Sequence, residues 1–161
     1  KGVQTWEDAV QAYEMGLAGV VLSNHGGRQL DFARSGVEVL EEVMRELRKR
    51  GSFPNPAFQV MVDGGFRRGT DILKALAMGA TAVGIGRPFL YAYSAYGVDG
   101  VIHAINLLRD ELEMNMRLIG ARSIEELVPS MVDLSALHNH TGAVFPKQDQ
   151  SVLDFMDKSR L

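Results

Sequence analysis

One junction occurs twice in the chain, 63 residues apart: Ala12, Met15, Gly16 and Val20 recur as Ala75, Met78, Gly79 and Val83. Each time a helical pattern stops at Met-Gly and a short apolar run begins. Glycine closes helices because it adopts the left-handed conformation at no steric cost. The apolar runs are too short for helices and suit buried strands. A chain that repeats helix, glycine and strand lays its strands parallel, because each helix carries the backbone back across the sheet. An α/β fold with a parallel sheet follows.

The remaining pattern fills in that frame. Thr5-Trp6-Glu7-Asp8 has the spacing of a capping box, with Asp in place of Glu, and Gly16 stops the helix it opens. Residues 17–23 (LAGVVLS) read as a first strand and residues 23–34 as a polar loop. Ser35-Gly36-Val37-Glu38 is a full capping box. The helix behind it has an apolar stripe of Val37, Leu40, Val43 or Met44, and Leu47. Glu38, Glu41 and Glu42 load its first half and Arg48, Lys49 and Arg50 its last turn, the order a helix dipole favours. Phe58 to Val62 and Ala82 to Ile85 read as two more strands, with a helix from Thr70 to Met78 between them. A long helix is predicted from Asp99 to Leu118, with Val101, Ile105, Leu108, Leu112 and Ile119 on one face.

Length chooses among parallel architectures. A complete (β/α)8 barrel takes about 250 residues, and this chain has 161. The expectation is therefore a doubly wound sheet or part of a barrel. The opening Lys1-Gly2-Val3 has no methionine and no signal-peptide pattern, and a helix start follows at once. A piece of a longer protein is expected. Residues 1–135 form the patterned domain, and residues 136–161 read as an extended tail with one helical turn over 152–157.

Composition excludes several kinds of chemistry. There is no cysteine, so disulfides, thiolate nucleophiles, thiolate-ligated zinc and cysteine-held iron–sulfur clusters are ruled out. The net charge of -3, without a basic block, argues against nucleic acid or anionic membrane as the main partner. No apolar run approaches the roughly 20 residues of a membrane span. His138 and His140 stand in the tail at a spacing that is poor grounds for a metal site, and no metal is expected. Asn139-His140-Thr141 is a formal glycosylation acceptor, relevant only to a secreted chain.

Three polar clusters fall at carboxyl ends of predicted strands, the catalytic face of parallel α/β folds. They are residues 23–28 (SNHGGR), 63–68 (DGGFRR) and Gly86-Arg87. Gly64-Gly65 and Gly86-Arg87 suggest a phosphate cradle, in which glycine lets backbone N–H groups approach an anion and arginine offers a planar fork. In barrels such a site recurs beside a short extra helix, for which residues 88–93 are available. The third glycine of a dinucleotide fingerprint is missing, since Phe89 takes its place. His25 is either an ordinary loop residue, the commoner outcome for its position, or a base near neutral pH. Arg28, three residues on, would then bind a carboxylate.

Lys1-Gly2-Val3, SNHGGRQLD at 23–31, DGGFRRGTD at 63–71, LKALAMGA at 73–80, GIGRPFLYA at 84–92 and RDELEMNMRLIG at 109–120 together resemble the FMN-dependent 2-hydroxy-acid dehydrogenase/oxidase family. The likeness spans residues 1–135 in order and spacing. It is closest to the fungal cytochrome-linked L-lactate dehydrogenase branch, through FLYAYSAYG and Met131-Val132-Asp133-Leu134-Ser135. The family fold is a (β/α)8 barrel, and the chain is similar to its C-terminal half.

The resemblance implies a flavoprotein oxidoreductase that oxidises a small 2-hydroxy acid, with FMN as cofactor and cytochrome c or oxygen as electron acceptor. By the same resemblance Lys1 lies at the N1/O2 edge of the flavin, Ser23 contacts its ring, His25 is the catalytic base and Arg28 binds the substrate carboxylate. Asp63, Gly65, Arg67, Gly86 and Arg87 hold ribityl and phosphate, in agreement with the anion cradle read from the Gly64-Gly65 and Gly86-Arg87 loops. The family's substrate-binding tyrosines, the aspartate that orients its histidine, and any haem domain belong to segments this chain does not contain. A half barrel by itself is expected to be inactive, with an open strand edge and uncovered helix faces. A homo-oligomer, a tetramer in the family, is implied. The rivals are a glycolate-type oxidase using oxygen and a non-enzymatic phosphate-binding half barrel.

The chain ends Ser159-Arg160-Leu161, similar to the Ser-Lys-Leu address of peroxisomal import. Peroxisomal residence is therefore expected, against the mitochondrial intermembrane space of the cytochrome-linked branch.

Overall fold

Both caps form, the first through its hydroxyl alone and the second as a complete box. The computed structural model describes residues 1–137. The Thr5 hydroxyl accepts a hydrogen bond from the Asp8 amide at 3.2 Å and opens α1 (Trp6–Glu14). The chain turns at Gly16, with φ of 75°, into β1 (Gly19–Leu22). Ser35 opens α2 (Gly36–Lys49): its hydroxyl accepts from the Glu38 amide, and its own N–H donates to the Glu38 carboxylate at 2.7 Å. Two otherwise orphaned donors are thereby satisfied. β2 (Gln59–Asp63) leads into α3 (Gly69–Met78), which closes on Gly79 at φ 115°. β3 (Ala82–Gly84) then leads into α4 (Arg87–Leu118).

The strands form one parallel sheet in the order β1-β2-β3, with Gly19 opposite Gln59 and Met61 opposite Ala82. Val3 makes a single parallel bridge to Leu22, so the segment before α1 lies beside β1. Strand order follows chain order without reversal. That is the order of a barrel, whereas a doubly wound sheet reverses at its switch point.

The main core lies between the sheet and α2. Val39, Leu40, Val43, Met44 and Leu47 pack with Val20, Leu22, Val60 and Val62, all of them buried. Each such side chain contributes about 1.5–3 kcal/mol when fully buried. Val39 joins the core although it lies outside the expected stripe, because the helix is sunk deeply enough to cover a broader face. Glu41 goes down with it and keeps its charge paired with Arg45, at 2.7 Å.

A second, smaller cluster of Leu73, Ala77, Met116, Ala121 and Leu127 joins α3 to α4. The two helices meet at Gly69, where a Cβ would stand 2.5 Å from the Leu112 nitrogen. Glu111 seals that contact by accepting from Arg68 Nε at 2.8 Å and from the Gly69 amide at 2.7 Å. The bonds from Arg68, then that from Gly69, hold the Glu111 carboxyl below the usual carboxylate range.

One helix boundary differs clearly from expectation. α4 starts at Arg87, well before Asp99, but Gly97 breaks it with φ 61° and ψ -145°. Residues 87–96 are thus the short extra helix placed at 88–93 from sequence, followed by the expected long one. The long segment's apolar face is only partly used: Leu112 and Met116 pack on α3, while Ile105 remains 51% exposed. Among the described residues no element covers that part of the helix. At the other end, Leu134 and Leu137 pack against the main core. The readings of His138, Asn139, His140, the turn at 152–157 and Ser159-Arg160-Leu161 lie outside the described residues.

Candidate functional site

The carboxyl ends of the three strands open onto one cleft of about 680 Å³. Lys1 flanks it on one side, and Leu90 and Tyr91, from the first turns of α4, flank it on the other.

Ser23 follows β1 directly and is 2% exposed. Its Oγ accepts from Lys1 Nζ at 3.2 Å and from the His25 amide at 3.1 Å. The hydroxyl thus anchors both groups from below, and its own proton remains free to donate. His25 follows with φ 58°, a left-handed conformation uncommon outside glycine, and Gly26 and Gly27 continue at 69° and 70°. Asn24 clasps this tight curl. Its Oδ1 accepts from the Gly27 amide at 3.0 Å and its Nδ2 donates to the Arg34 carbonyl at 3.2 Å. Arg34 in turn pairs with Glu42 of α2 at 2.6 Å and donates to the Gln4 carbonyl at 3.0 Å. Both ends of the loop are therefore tied to the framework, and its middle projects His25 and Arg28 into the cleft wall.

Lys1 Nζ stands 3.1 Å from His25 Nδ1. Which of the two groups donates in this contact depends on the tautomer of the ring.

The loop after β2 supplies the opposite wall. Gly64 and Gly65 adopt φ of 91° and 88°. A side chain on Gly64 would press on Asn24 Oδ1 at 3.3 Å, so the first two loops pack edge to edge. Asp63 Oδ1 is buried without a hydrogen-bond partner. Leaving such an acceptor unsatisfied costs about 1–3 kcal/mol, which a hydroxyl donor entering the cleft would relieve. Of the two adjacent arginines, Arg68 is turned away to Glu111 and Arg67 lines the cleft. The loop after β3 ends at Gly86, where an added Cβ would meet nothing within 4 Å. Arg87 follows and donates from Nη2 to the Gly26 carbonyl at 2.8 Å.

Nine of the residues singled out from sequence thus share one cleft: Lys1, His25, Arg28, Asp63, Gly64, Gly65, Arg67, Gly86 and Arg87. Ser23 lies beneath it and is not part of the wall. The clasp by Asn24 and the tether by Arg34 were not anticipated. An Asn one residue ahead of a glycine turn is a recognisable signal for the first, while the second has none in the local pattern. Among the described residues no group of three or more His, Asp or Glu side chains stands together as a metal site.

The donor set fits FMN. A buried carboxylate oxygen in need of a donor suits a polyhydroxyl chain, and the open glycines with Arg67 and Arg87 suit the phosphate at its end.

Comparison with known proteins agrees with this arrangement. The family model described as FMN-dependent dehydrogenase matches residues 1–134. L-lactate dehydrogenase (cytochrome) of Wickerhamomyces anomalus is 60% identical over 139 residues, which are 86% of this chain and 24% of that enzyme. The Saccharomyces cerevisiae enzyme of the same name is 58% identical, over 89% of this chain and 24% of its own length. A peroxisomal (S)-2-hydroxyacid oxidase of Arabidopsis thaliana is 48% identical, over 82% of this chain and 34% of that protein. The structure of the flavin-binding domain of baker's yeast flavocytochrome b2 superposes with a TM-score of 0.81 at 54% identity, covering 95% of this chain and 38% of that one. The chain spans about a quarter of the length of the two lactate dehydrogenases. Its parallel sheet, helices and strand-end cleft are part of a (β/α)8 barrel, and the chain belongs to the FMN-dependent dehydrogenase family.

Proposed function

We propose that this chain is the C-terminal part of an FMN-dependent enzyme that oxidises an L-2-hydroxy acid, L-lactate, to the 2-oxo acid. The observation that carries the reading is the meeting of Lys1, His25 and Arg28 with the anion cradle in one cleft. When bound, FMN accepts the electron pair that the substrate loses.

The chain's own groups do the rest. Arg28 offers a planar fork to the substrate carboxylate, which fixes the carbon bearing the hydroxyl relative to His25. The imidazole takes a substrate proton at its unprotonated nitrogen and returns it to water afterwards. Lys1, anchored on Ser23, places a positive charge where negative charge gathers on the cofactor. Asp63, Gly64 and Gly65 hold the ribityl chain, and Arg67, Gly86 and Arg87 hold the phosphate. Identities of 60% and 58% to cytochrome-linked lactate dehydrogenases, against 48% to a 2-hydroxyacid oxidase, favour a cytochrome over oxygen as electron acceptor. A haem group, if one takes part, sits on a domain outside this chain.

In the full-length protein loaded with FMN and kept free of oxygen, L-lactate should bleach the flavin absorbance faster than glycolate. Faster bleaching by glycolate, with rapid recovery on admitting oxygen, would favour the oxidase reading. No bleaching by either acid would overturn both.

A further inference from the structure

The loop bearing His25 and the helix bearing the phosphate arginine touch each other. Arg87 Nη2 donates to the Gly26 carbonyl at 2.8 Å across 61 positions of sequence, and a Cβ on Gly26 would stand 3.4 Å from that nitrogen. We propose that Arg87 is a positioning residue for His25, so that phosphate binding and placement of the catalytic loop are coupled through its guanidinium. This rests on the function proposed above and adds a second task to a residue of the cradle.

The geometry of the loop gives the contact its weight. His25, Gly26 and Gly27 are left-handed in succession, form a single 3-10 turn with no strand ladder beside it, and are held by a few discrete bonds. Ser23 grips the amide at one end and Asn24 the amide at the other. Arg87 grips the other edge of that second peptide, the Gly26 carbonyl, whose N–H partner is the one Asn24 holds. Without it, that peptide is held by Asn24 alone, and the imidazole one residue back loses part of its brace.

The chemistry of arginine allows both tasks at once. One N–H of Nη2 serves Gly26, and the rest of the fork remains for the phosphate. A phosphate that fixes the guanidinium therefore fixes Gly26 as well. By linkage, a loop already in place raises the affinity for the phosphate by the same factor. Lysine offers a compact point charge on a flexible stem and cannot span two acceptors in this planar way.

The test uses Arg87→Lys and Arg87→Gln in the full-length protein. In the flavin-free state, amide hydrogen exchange of a peptide covering residues 24–28 should quicken several-fold in both variants, while peptides from β2 stay unchanged. With FMN raised until each variant is fully loaded, bleaching by L-lactate should stay about tenfold slower than in the parent, the size of one lost charge-assisted bond. Parental exchange over 24–28, or full recovery of the rate once FMN saturates, would mean that Arg87 acts on the phosphate alone. A parent protein that takes up no FMN would overturn the proposed function, and the exchange measurement, which needs no flavin, would still decide whether Arg87 braces the loop.

Discussion

Replacing His25 with glutamine in the full-length protein will slow flavin bleaching by L-lactate about 10²–10⁴-fold, the usual worth of a general base. Flavin should stay bound, because the bonds that tie the His25 loop to Ser23, Asn24 and Arg87 run through backbone groups that glutamine keeps. Glutamine keeps a polar group of similar reach but cannot take a proton near neutral pH. Stopped-flow absorbance on the anaerobic enzyme reads the rate directly. A parental rate in the variant would place the base elsewhere.

A large effect on folding is expected at Gly36. It is the first residue of α2 and sits over the ends of two strands. A Cβ there would come within 2.6 Å of the Asp63 carbonyl, 2.8 Å of Val62 Cγ2 and 3.2 Å of the Leu22 carbonyl. Two of the three neighbours are backbone and cannot swing aside. Overpacking typically costs about 1–3 kcal/mol, and a backbone clash lies at the upper end. The strain falls at the last residues before Ser23 and at Asp63 itself, so Gly36→Ala should lower the denaturation midpoint and weaken FMN retention together. Denaturant titration and flavin titration of the variant check the pair. An unchanged midpoint would show that α2 can lift off the sheet at little cost.

The parts of the fold legible from sequence are those fixed by neighbours in the chain. Thr5 and Ser35 cap their helices within one turn, and Gly79 closes α3 at φ 115°. The parallel sheet follows from the repeated helix-glycine-strand joint. What could not be read depends on contacts far apart in sequence. Arg87 meets Gly26 across 61 positions, and Glu111 reaches Arg68 across 43. No local pattern encodes such pairs. The exposure of Ile105 was hidden for a related reason, since an apolar stripe tells that a helix has a covering partner and not whether that partner lies in the same chain.

The site divides in the same way. Two glycine–arginine loops announced an anion cradle by chemistry alone. The roles of Lys1 and Ser23 came from family resemblance alone, a base at His25 with a carboxylate fork at Arg28 was one of two readings of the loop itself, and the structure adds that all but Ser23 reach one cleft. Asp63 was named through that likeness too, and its orphaned Oδ1 now gives a physical reason for the choice.

The uncovered stretch of α4 turns a substitution into a ruler for how much of the barrel is present. Ile105 is 51% exposed, so Ile105→Glu in residues 1–161 alone should change stability by no more than about 0.5 kcal/mol, as at an ordinary surface position. In a closed barrel, where the missing units cover that face, the same carboxylate would be stranded in an apolar contact and should cost several times as much. Equal and small effects in both chains would mean that this side of α4 meets water in the complete protein as well.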